Sequence, residues 1–410
     1  MNLYILNEIR RGALYGVGTY IHELSTALKD SCWSVCVINL MSDKQQMQVD
    51  EIDGVHYWHF PSAVVEQRTI GIEKREELYY RNIVYLLQLY IEDKKDLIFH
   101  LNYNHFNKLF EELKKSFNCK IIITIHYIEW CFKLFGNVSN FRHILTLQEI
   151  SQINELQKIV IKLYKKEKEF FLKADHIICL SENTLQILQD DYQIPSSKVS
   201  IIYNGLSDCN LVTDKSVLRQ KYLIPDVPVI LFAGRLDDIK GLRYALKAFK
   251  IVLSKYPHCY FIITGNGEFD IFMKECEDIW THVIWTGFLD KNKLNDLYSI
   301  ADIGIIPSFH EQCNYVAIEM MMHGLPMITT SSPGLDEMTE DGISSLQIPL
   351  ITHSDNVEIN TDLLADTMLY LLEHPDVRKR IGANARLRYE AAYSAEIFRK
   401  NMLNFYASLL

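Results

Sequence analysis

The feature that most limits what this chain can fold into is an alternation repeated from end to end: short β-branched or apolar runs, each followed by a longer amphipathic stretch. That order builds parallel sheets covered by helices, because successive parallel strands need a helix-length crossover between them. In the first half the runs are NLYILN, WSVCVINL, DLIFHL, KIIITIH, HIICLS and VSIIYN; in the second they are PVILFAG, YFIITG, HVIWTG, IGIIPS and PMITTS. Five or six strands per half predict an α/β chain with two doubly wound sheets. At 410 residues the chain is long for one core and suits two domains of about 200 residues each. The break falls near residues 206 to 226, where turn formers and prolines interrupt the alternation. The expected domains are 1–206 and 207–385, with a helical tail from about 386 to 410 crossing back onto the first.

Composition narrows the function. Hydrophobic residues make up 48% and charged residues 23%, the balance of an ordinary soluble globular protein. A net charge of -10 with no basic block excludes a general nucleic-acid footprint. No stretch reaches the roughly 18 apolar residues of a membrane span, and the N-terminal apolar run is too short for a signal segment, so the expected location is cytoplasmic. Nine scattered cysteines without CxxC spacing predict neither a disulfide frame nor a zinc site. The helical run 147–174 carries six lysines, diluted by Glu149, Glu155, Glu167 and Glu169. It is either a solvated helix face or a surface that rests on an anionic membrane at the inner face.

Five motifs carry candidate chemistry. In YGVGTYIHEL, Gly16 and Gly18 stand where a strand-to-helix loop is expected, and glycines there either let backbone N–H groups approach an anion or form a tight turn without ligand. The stretch is no dinucleotide fingerprint, since Ile21 replaces the third small residue and Asn39 and Leu40 stand where an acid should close the next strand. In FAGRLDDIKGL, Arg235 and Lys240 place two cations at a carboxyl-terminal strand edge, where they are either exposed loop cations or the holders of a diphosphate, their natural partner. In ITGNGEF, Gly265 and Gly267 permit close approach of a planar base, or form a plain turn. His126 ends a strand, where it either faces a cleft or is a satisfied structural residue.

The fifth motif is HEQCNYVAIEMMMHG, residues 310 to 324. The preceding run IGIIPSF predicts a buried strand, HEQC its loop, and Asn314 the N-cap of a helix ended by Gly324. Glu311 then lies on the loop and Glu319 in the second helical turn. The helix start offers backbone N–H groups at Cys313, Asn314 and Tyr315 to a phosphate oxygen. A carboxylate on either side could each hold vicinal hydroxyls, and two diol clamps flanking a diphosphate describe a nucleotide sugar.

Taken in order, these pieces resemble the retaining glycosyltransferases of family 4, which have the GT-B fold of two Rossmann-like domains facing across a cleft. The similarity runs from the Gly-x-Gly-x-Tyr loop at 16 through YNGL at 203, GRLDDIKG and the Glu-x7-Glu motif to HGLPMITT. The resemblance implies an acceptor-side domain over 1–206 and a nucleotide-sugar-binding domain over 207–385. It implies that Arg235 and Lys240 hold the donor diphosphate and stabilise leaving-group charge. Glu319 would bind the ribose hydroxyls, Glu311 the transferred sugar, and His126 would lie near the reacting sugar. Gly16 and Gly18 would lie close to the phosphates and acceptor, and no metal or other cofactor is expected. The expected activity is transfer of a sugar from a nucleotide diphosphate, UDP foremost, to a hydroxyl acceptor of a surface glycan or glycoconjugate. A sugar-nucleotide epimerase, a phosphorylase or a non-catalytic binding subunit can use the same architecture. Two departures bear on specificity: Asn204-Gly205-Leu206-Ser207 lacks the family's acid, and Gln312, Cys313 and Asn314 replace its Gly-Phe-Gly after the first glutamate.

Overall fold

The computed structural model describes residues 2–9, 16–29, 31–62, 72–104, 106–147, 153–209 and 214–409. Residues 148–152 of the lysine-rich run, 210–213 of the expected linker and 10–15 before Gly16 therefore lie outside the described residues. The chain divides into two compact units. The first comprises Met1–Ile128, Lys162–Gly205 and Ala395–Leu410; the second comprises Glu129–Ile161 and Leu206–Ser394.

The first unit is built on eight strands: β1 (Asn2–Glu8), β2 (Ser34–Ser42), β3 (Gln48–Ile52), β4 (Val55–Pro61), β5 (Leu97–Leu101), β6 (Cys119–Ile125), β7 (His176–Cys179) and β8 (Val199–Ile201), in the order β3-β4-β2-β1-β5-β6-β7-β8. Every pairing is parallel except β3 with β4. That exception is a hairpin closed by Asp53-Gly54, both at positive φ, the backbone such a turn demands. The central strand β5 is buried at all five positions, which parallel strands covered on both faces require. The helix Gly16–Leu28 buries Tyr20, Ile21, Leu24 and Leu28, and each of the three aliphatic side chains contributes about 1.5–3 kcal/mol by leaving water.

The C-terminal helix Ala395–Ser408 packs in this unit, Phe398 meeting the ring of Tyr20 at 5.6 Å. A buried polar chain ties it to the sheet. The two ring nitrogens of His100 bond the Tyr406 hydroxyl and Thr124 Oγ1, both at 2.6 Å, and the Tyr20 hydroxyl bonds Thr124 at 3.0 Å.

The helix Glu155–Lys173 covers most of the lysine-rich run. Lys158 pairs with Glu155 at 2.7 Å, and Lys173 with Glu169 at 2.6 Å and Glu111 at 3.1 Å. Glu167 does not dilute the exposed charge as its position in sequence suggests. It is buried, where it accepts hydrogen bonds from Tyr192 and Asn104. Among the described residues no helix is long and apolar enough to cross a membrane.

The second unit holds β9 (Val229–Ala233), β10 (Tyr260–Thr264), β11 (Val283–Gly287), β12 (Ile303–Ile306), β13 (Met327–Thr330) and β14 (Leu346–Ile348) in one parallel sheet, ordered β11-β10-β9-β12-β13-β14. Strand order runs outward from β9 to β11, then restarts with β12 on the other side of β9. The pair β9/β12 is therefore the topological switch point, where the loops leaving two adjacent strands part and open a crevice.

The stretch Glu129–Ile161, counted with the first domain on sequence, clusters with this second unit. Phe135 meets Phe309 at 5.1 Å, and the Asn137 amide donates to the His353 carbonyl at 2.9 Å.

Candidate active site

Four of the residues singled out in the sequence gather at the switch point of the second sheet or on the helix beside it. Arg235 and Lys240 lie on the loop leaving β9, and Glu311 on the loop leaving β12. Local packing brings the two loops together. Gly241 has φ +68, and a Cβ there would lie 1.9 Å from the Pro307 carbonyl oxygen, so only glycine lets the loops touch. The Phe309 N–H then donates to the Ile239 carbonyl at 2.9 Å. The result is an ion pair of 2.6 Å between Lys240 Nζ and Glu311 Oε1, with side chains only 19% and 10% exposed. Burial works to raise the Glu311 pKa, but the Lys240 ammonium beside it and hydrogen bonds from Lys240 and Ser308 hold it below the ordinary carboxylate value.

Arg235 is paired too. Its guanidinium lies 3.1 Å from Asp237 and over the ring of Phe132, 5.6 Å from the centroid. Burial raises the Asp237 pKa against the opposing pull of Arg235 and Lys240. Neither Phe132 nor Asp237 was singled out from sequence, although Asp237 stands inside the same motif.

Asn314 caps the helix Tyr315–Met322, its side chain accepting from the Ala317 N–H at 3.0 Å, and Gly324 at φ +60 follows the helix end. The expected anion site at the helix start needs correction at one position: the Asn314 N–H points to the Met338 sulfur at 3.1 Å. Cys313 and Asn314 are themselves buried. The helix is fixed by its methionines, Met320 filling the space left by Gly304, where a Cβ would lie 2.4 Å from the sulfur.

Glu319 points neither into the core nor fully into solvent. It accepts a hydrogen bond of 2.6 Å from the Tyr298 hydroxyl. Burial pushes its pKa up to about 7, against the lowering effect of Tyr298. Gly265 and Gly267 also have a packing role. A Cβ on Gly265 would lie 1.7 Å from the Gly234 carbonyl oxygen, and one on Gly267 2.4 Å from that of Leu236. These glycines let the β10 loop lie against the β9 loop that carries Arg235.

Glu311 is flanked by His310, missed in the sequence, and by Gln312, noted there only as a departure from the family's glycine. His310 and Gln312 are 8% and 5% exposed, and among the described residues neither ring nitrogen of His310 nor either amide atom of Gln312 has a hydrogen-bond partner. Burial lowers the His310 pKa to about 4, so the ring is neutral at physiological pH. The available signal was their placement: polar residues on both sides of an acid, just past a fully buried strand.

His126, Gly16 and Gly18 belong to the first unit. Gly16 and Gly18 lie in the first turn of the helix Gly16–Leu28 rather than in a loop before it. From the same helix, Tyr20 meets the His126 ring edge-on at 4.6 Å. His126 lies 3.0 Å from the Asn102 side-chain oxygen, while the Asn102 nitrogen donates to the Leu6 carbonyl. The His126 Nε2 therefore carries the proton and Nδ1 is left as an acceptor. Burial lowers its pKa to about 3, so it is an uncharged imidazole. Among the described residues there is no group of three or more His, Cys, Asp or Glu placed to hold a metal ion.

Two parallel-sheet α/β domains, with cations and acids at the switch point of the second, define the GT-B class of protein. Two family descriptions match successive parts of the chain: Glycosyltransferase Family 4 over residues 15–208 and Glycosyl transferases group 1 over residues 227–374. The chain belongs to this family of glycosyltransferases. It is 22% identical over 250 residues to the alpha-D-kanosaminyltransferase of Streptomyces kanamyceticus, covering 59% of this chain and 63% of that protein's length. Its fold is similar to that of sucrose-phosphate synthase from Thermosynechococcus elongatus, with a TM-score of 0.76, 20% identity, and coverage of 100% and 98% of the two chains. It is also similar to Anabaena HepE, solved in complex with UDP-glucose, with a TM-score of 0.72, 14% identity and full coverage of both chains.

Proposed function

We propose that this protein transfers a sugar from a UDP-sugar to a hydroxyl acceptor, with retention at the anomeric carbon and without a metal, in the synthesis of a surface glycan or glycoconjugate. The observation that carries the reading is the convergence of Arg235, Lys240 and Glu311 on the carboxyl ends of β9 and β12. A sheet of this kind receives its ligand there. Arg235 and Lys240 would grip the diphosphate and stabilise the charge that grows on it as the glycosidic bond breaks. Glu319 would accept the ribose hydroxyls and Glu311 would contact the transferred sugar. The neutral His126 offers Nδ1 to a sugar hydroxyl, not a positive charge. In the step we infer, the acceptor oxygen bonds to the anomeric carbon on the face the diphosphate leaves, and the departing phosphate oxygen takes the acceptor's proton.

The choice of UDP is supported by the complex of Anabaena HepE with UDP-glucose. The exposed lysines of the helix Glu155–Lys173 keep contact with an anionic membrane surface within the proposal, at the cytoplasmic face. A panel of nucleotide sugars, assayed for thermal stabilisation in chelator and for UDP release with and without acceptor, tests the reading. Lys240→Ala and Glu319→Ala should each lower turnover at least 10²-fold, which corresponds to about 2.7 kcal/mol of transition-state stabilisation. Near-normal turnover in both variants would remove the site assignment. Donor binding without UDP release would indicate a binding subunit instead.

A further inference from the structure

The side chains on either side of Glu311 share a property the proposed mechanism does not use. Gln312 and His310 are both more than nine-tenths buried, and between them four polar atoms lack a partner among the described residues. Leaving a buried donor or acceptor unmet costs about 1–3 kcal/mol, and apolar side chains of the same size would avoid that cost. Nor are these residues loosely placed. A Cβ on Gly334 would lie 2.3 Å from the Gln312 carbonyl oxygen and 2.4 Å from that of Glu311, so the start of the helix Pro333–Met338 is packed directly onto them. On the other side, a Cβ on Gly136 would lie 3.0 Å from both Cβ and Nδ1 of His310. The loop is held rigidly while its polar groups stay unmatched, the arrangement of a preorganised binding surface.

The chemistry of these groups limits the ligand. An amide and a neutral imidazole each present both a donor and an acceptor, and the complementary group is a hydroxyl, which does both. A phosphate only accepts, and would meet the lone pairs of the imidazole and the amide oxygen. We propose that Gln312 and His310 are specificity-determining residues that read hydroxyl groups of the transferred sugar, next to the Lys240–Glu311 pair. The inference rests on the proposed sugar transfer and deepens it: selection among donors would come from side chains at these positions.

The test compares wild type with Gln312→Leu and His310→Phe. For each, kcat/KM is measured by UDP release from UDP-glucose, UDP-galactose and UDP-xylose, which differ in one hydroxyl's configuration or in one hydroxymethyl group. UDP affinity is followed by calorimetry and stability by thermal melting. A site built to bond a substrate hydroxyl discriminates strongly against analogues that lack or misplace it. Wild type should therefore prefer one donor by at least about 100-fold, and at least one variant should shrink that ratio about tenfold or more, with UDP affinity kept within about twofold. Ratios unchanged in both variants, together with a raised melting temperature, would overturn the inference, because the polar atoms would then be only a structural cost. A wild-type protein that neither binds UDP nor releases it from any donor would overturn the sugar-transfer reading and this inference with it.

Discussion

Replacing Lys240 by methionine leaves the Glu311 carboxylate without its counter-charge while keeping the length of the stem. The separation is 2.6 Å and both side chains are largely covered. At an effective dielectric of about 20, two unit charges at that distance attract by roughly 6 kcal/mol. The cost of taking both out of water cancels much of this, so the net worth of the pair is small while the loss of one partner alone costs about 3–5 kcal/mol. The expected signature is non-additivity: Lys240→Met and Glu311→Leu each destabilise the second unit by about 3 kcal/mol, and the double variant by clearly less than their sum. The penalty also depends on pH. In the wild type the folded Glu311 pKa lies below its unfolded value, so the pair stabilises above the unfolded value and that contribution is lost as pH falls through the folded one. With the ammonium gone, burial raises the folded pKa, the carboxyl takes up a proton in mild acid, and Lys240→Met should cost less at pH 5 than at pH 8. Urea unfolding of the four proteins at both pH values measures this. Single variants that cost under about 0.5 kcal/mol, add simply and ignore pH would show the pair to be an ordinary solvated contact.

Other outcomes follow from the same structure. Burial lowers the pKa of His100 and His126 to about 3 and of His310 to about 4, all below the unfolded value, so stability present above about pH 6.5 should decline steadily as the medium is acidified; the urea midpoint across that range reads it, and His100→Gln should flatten the slope. Glu319 has the opposite sign: its folded pKa of about 7 exceeds the unfolded value, so its contribution to stability falls as pH rises from 4.5 to 7, and Glu319→Gln should remove that component. If the ionised Glu319 holds the ribose hydroxyls, UDP affinity measured by calorimetry should strengthen from pH 6 to 8 in the wild type and stay flat in Glu319→Gln. Gly265→Ala should cost well over 2 kcal/mol or abolish folding, since its Cβ would meet a backbone oxygen. Gly287→Ala, with φ +68 but nothing within 4 Å, should cost only about 1 kcal/mol of backbone strain; equal melting temperatures for the two would contradict the packing argument.

Much of the fold was legible because parallel strands buried on both faces read as continuous apolar runs, and each of the eleven runs coincides with a strand. The β3–β4 hairpin escaped, though Asp53-Gly54 is a turn signal, because its polar, exposed β3 carries no such run. β14 is only three residues long and gives no periodicity to read. At the site, the Lys240–Glu311 pair spans 71 positions and rests on a glycine-to-carbonyl contact at Gly241 that no local pattern announces. Gly265 and Gly267 were visible as glycines, but their packing partners were not: sequence shows that a Cβ is missing, not which atom takes its place. His310 and Gln312 stood in plain view inside the motif. What marks them is the lack of partners once buried, a property of the folded state alone.

The β3–β4 hairpin also determines how the first sheet ends. Its outermost strand runs antiparallel to its neighbour and places Asp50 and Glu51 on the border, one on each face of the sheet, between the exposed Val49 and Ile52. A second molecule adding the same strand there in matching register would bring its own negative charges against these, which opposes that pairing. The far border, Val199–Ile201, offers only three residues for a newcomer to zip onto. Both margins are thus poor templates for runaway strand addition, a safeguard a chain so rich in β-branched segments needs while it is being made.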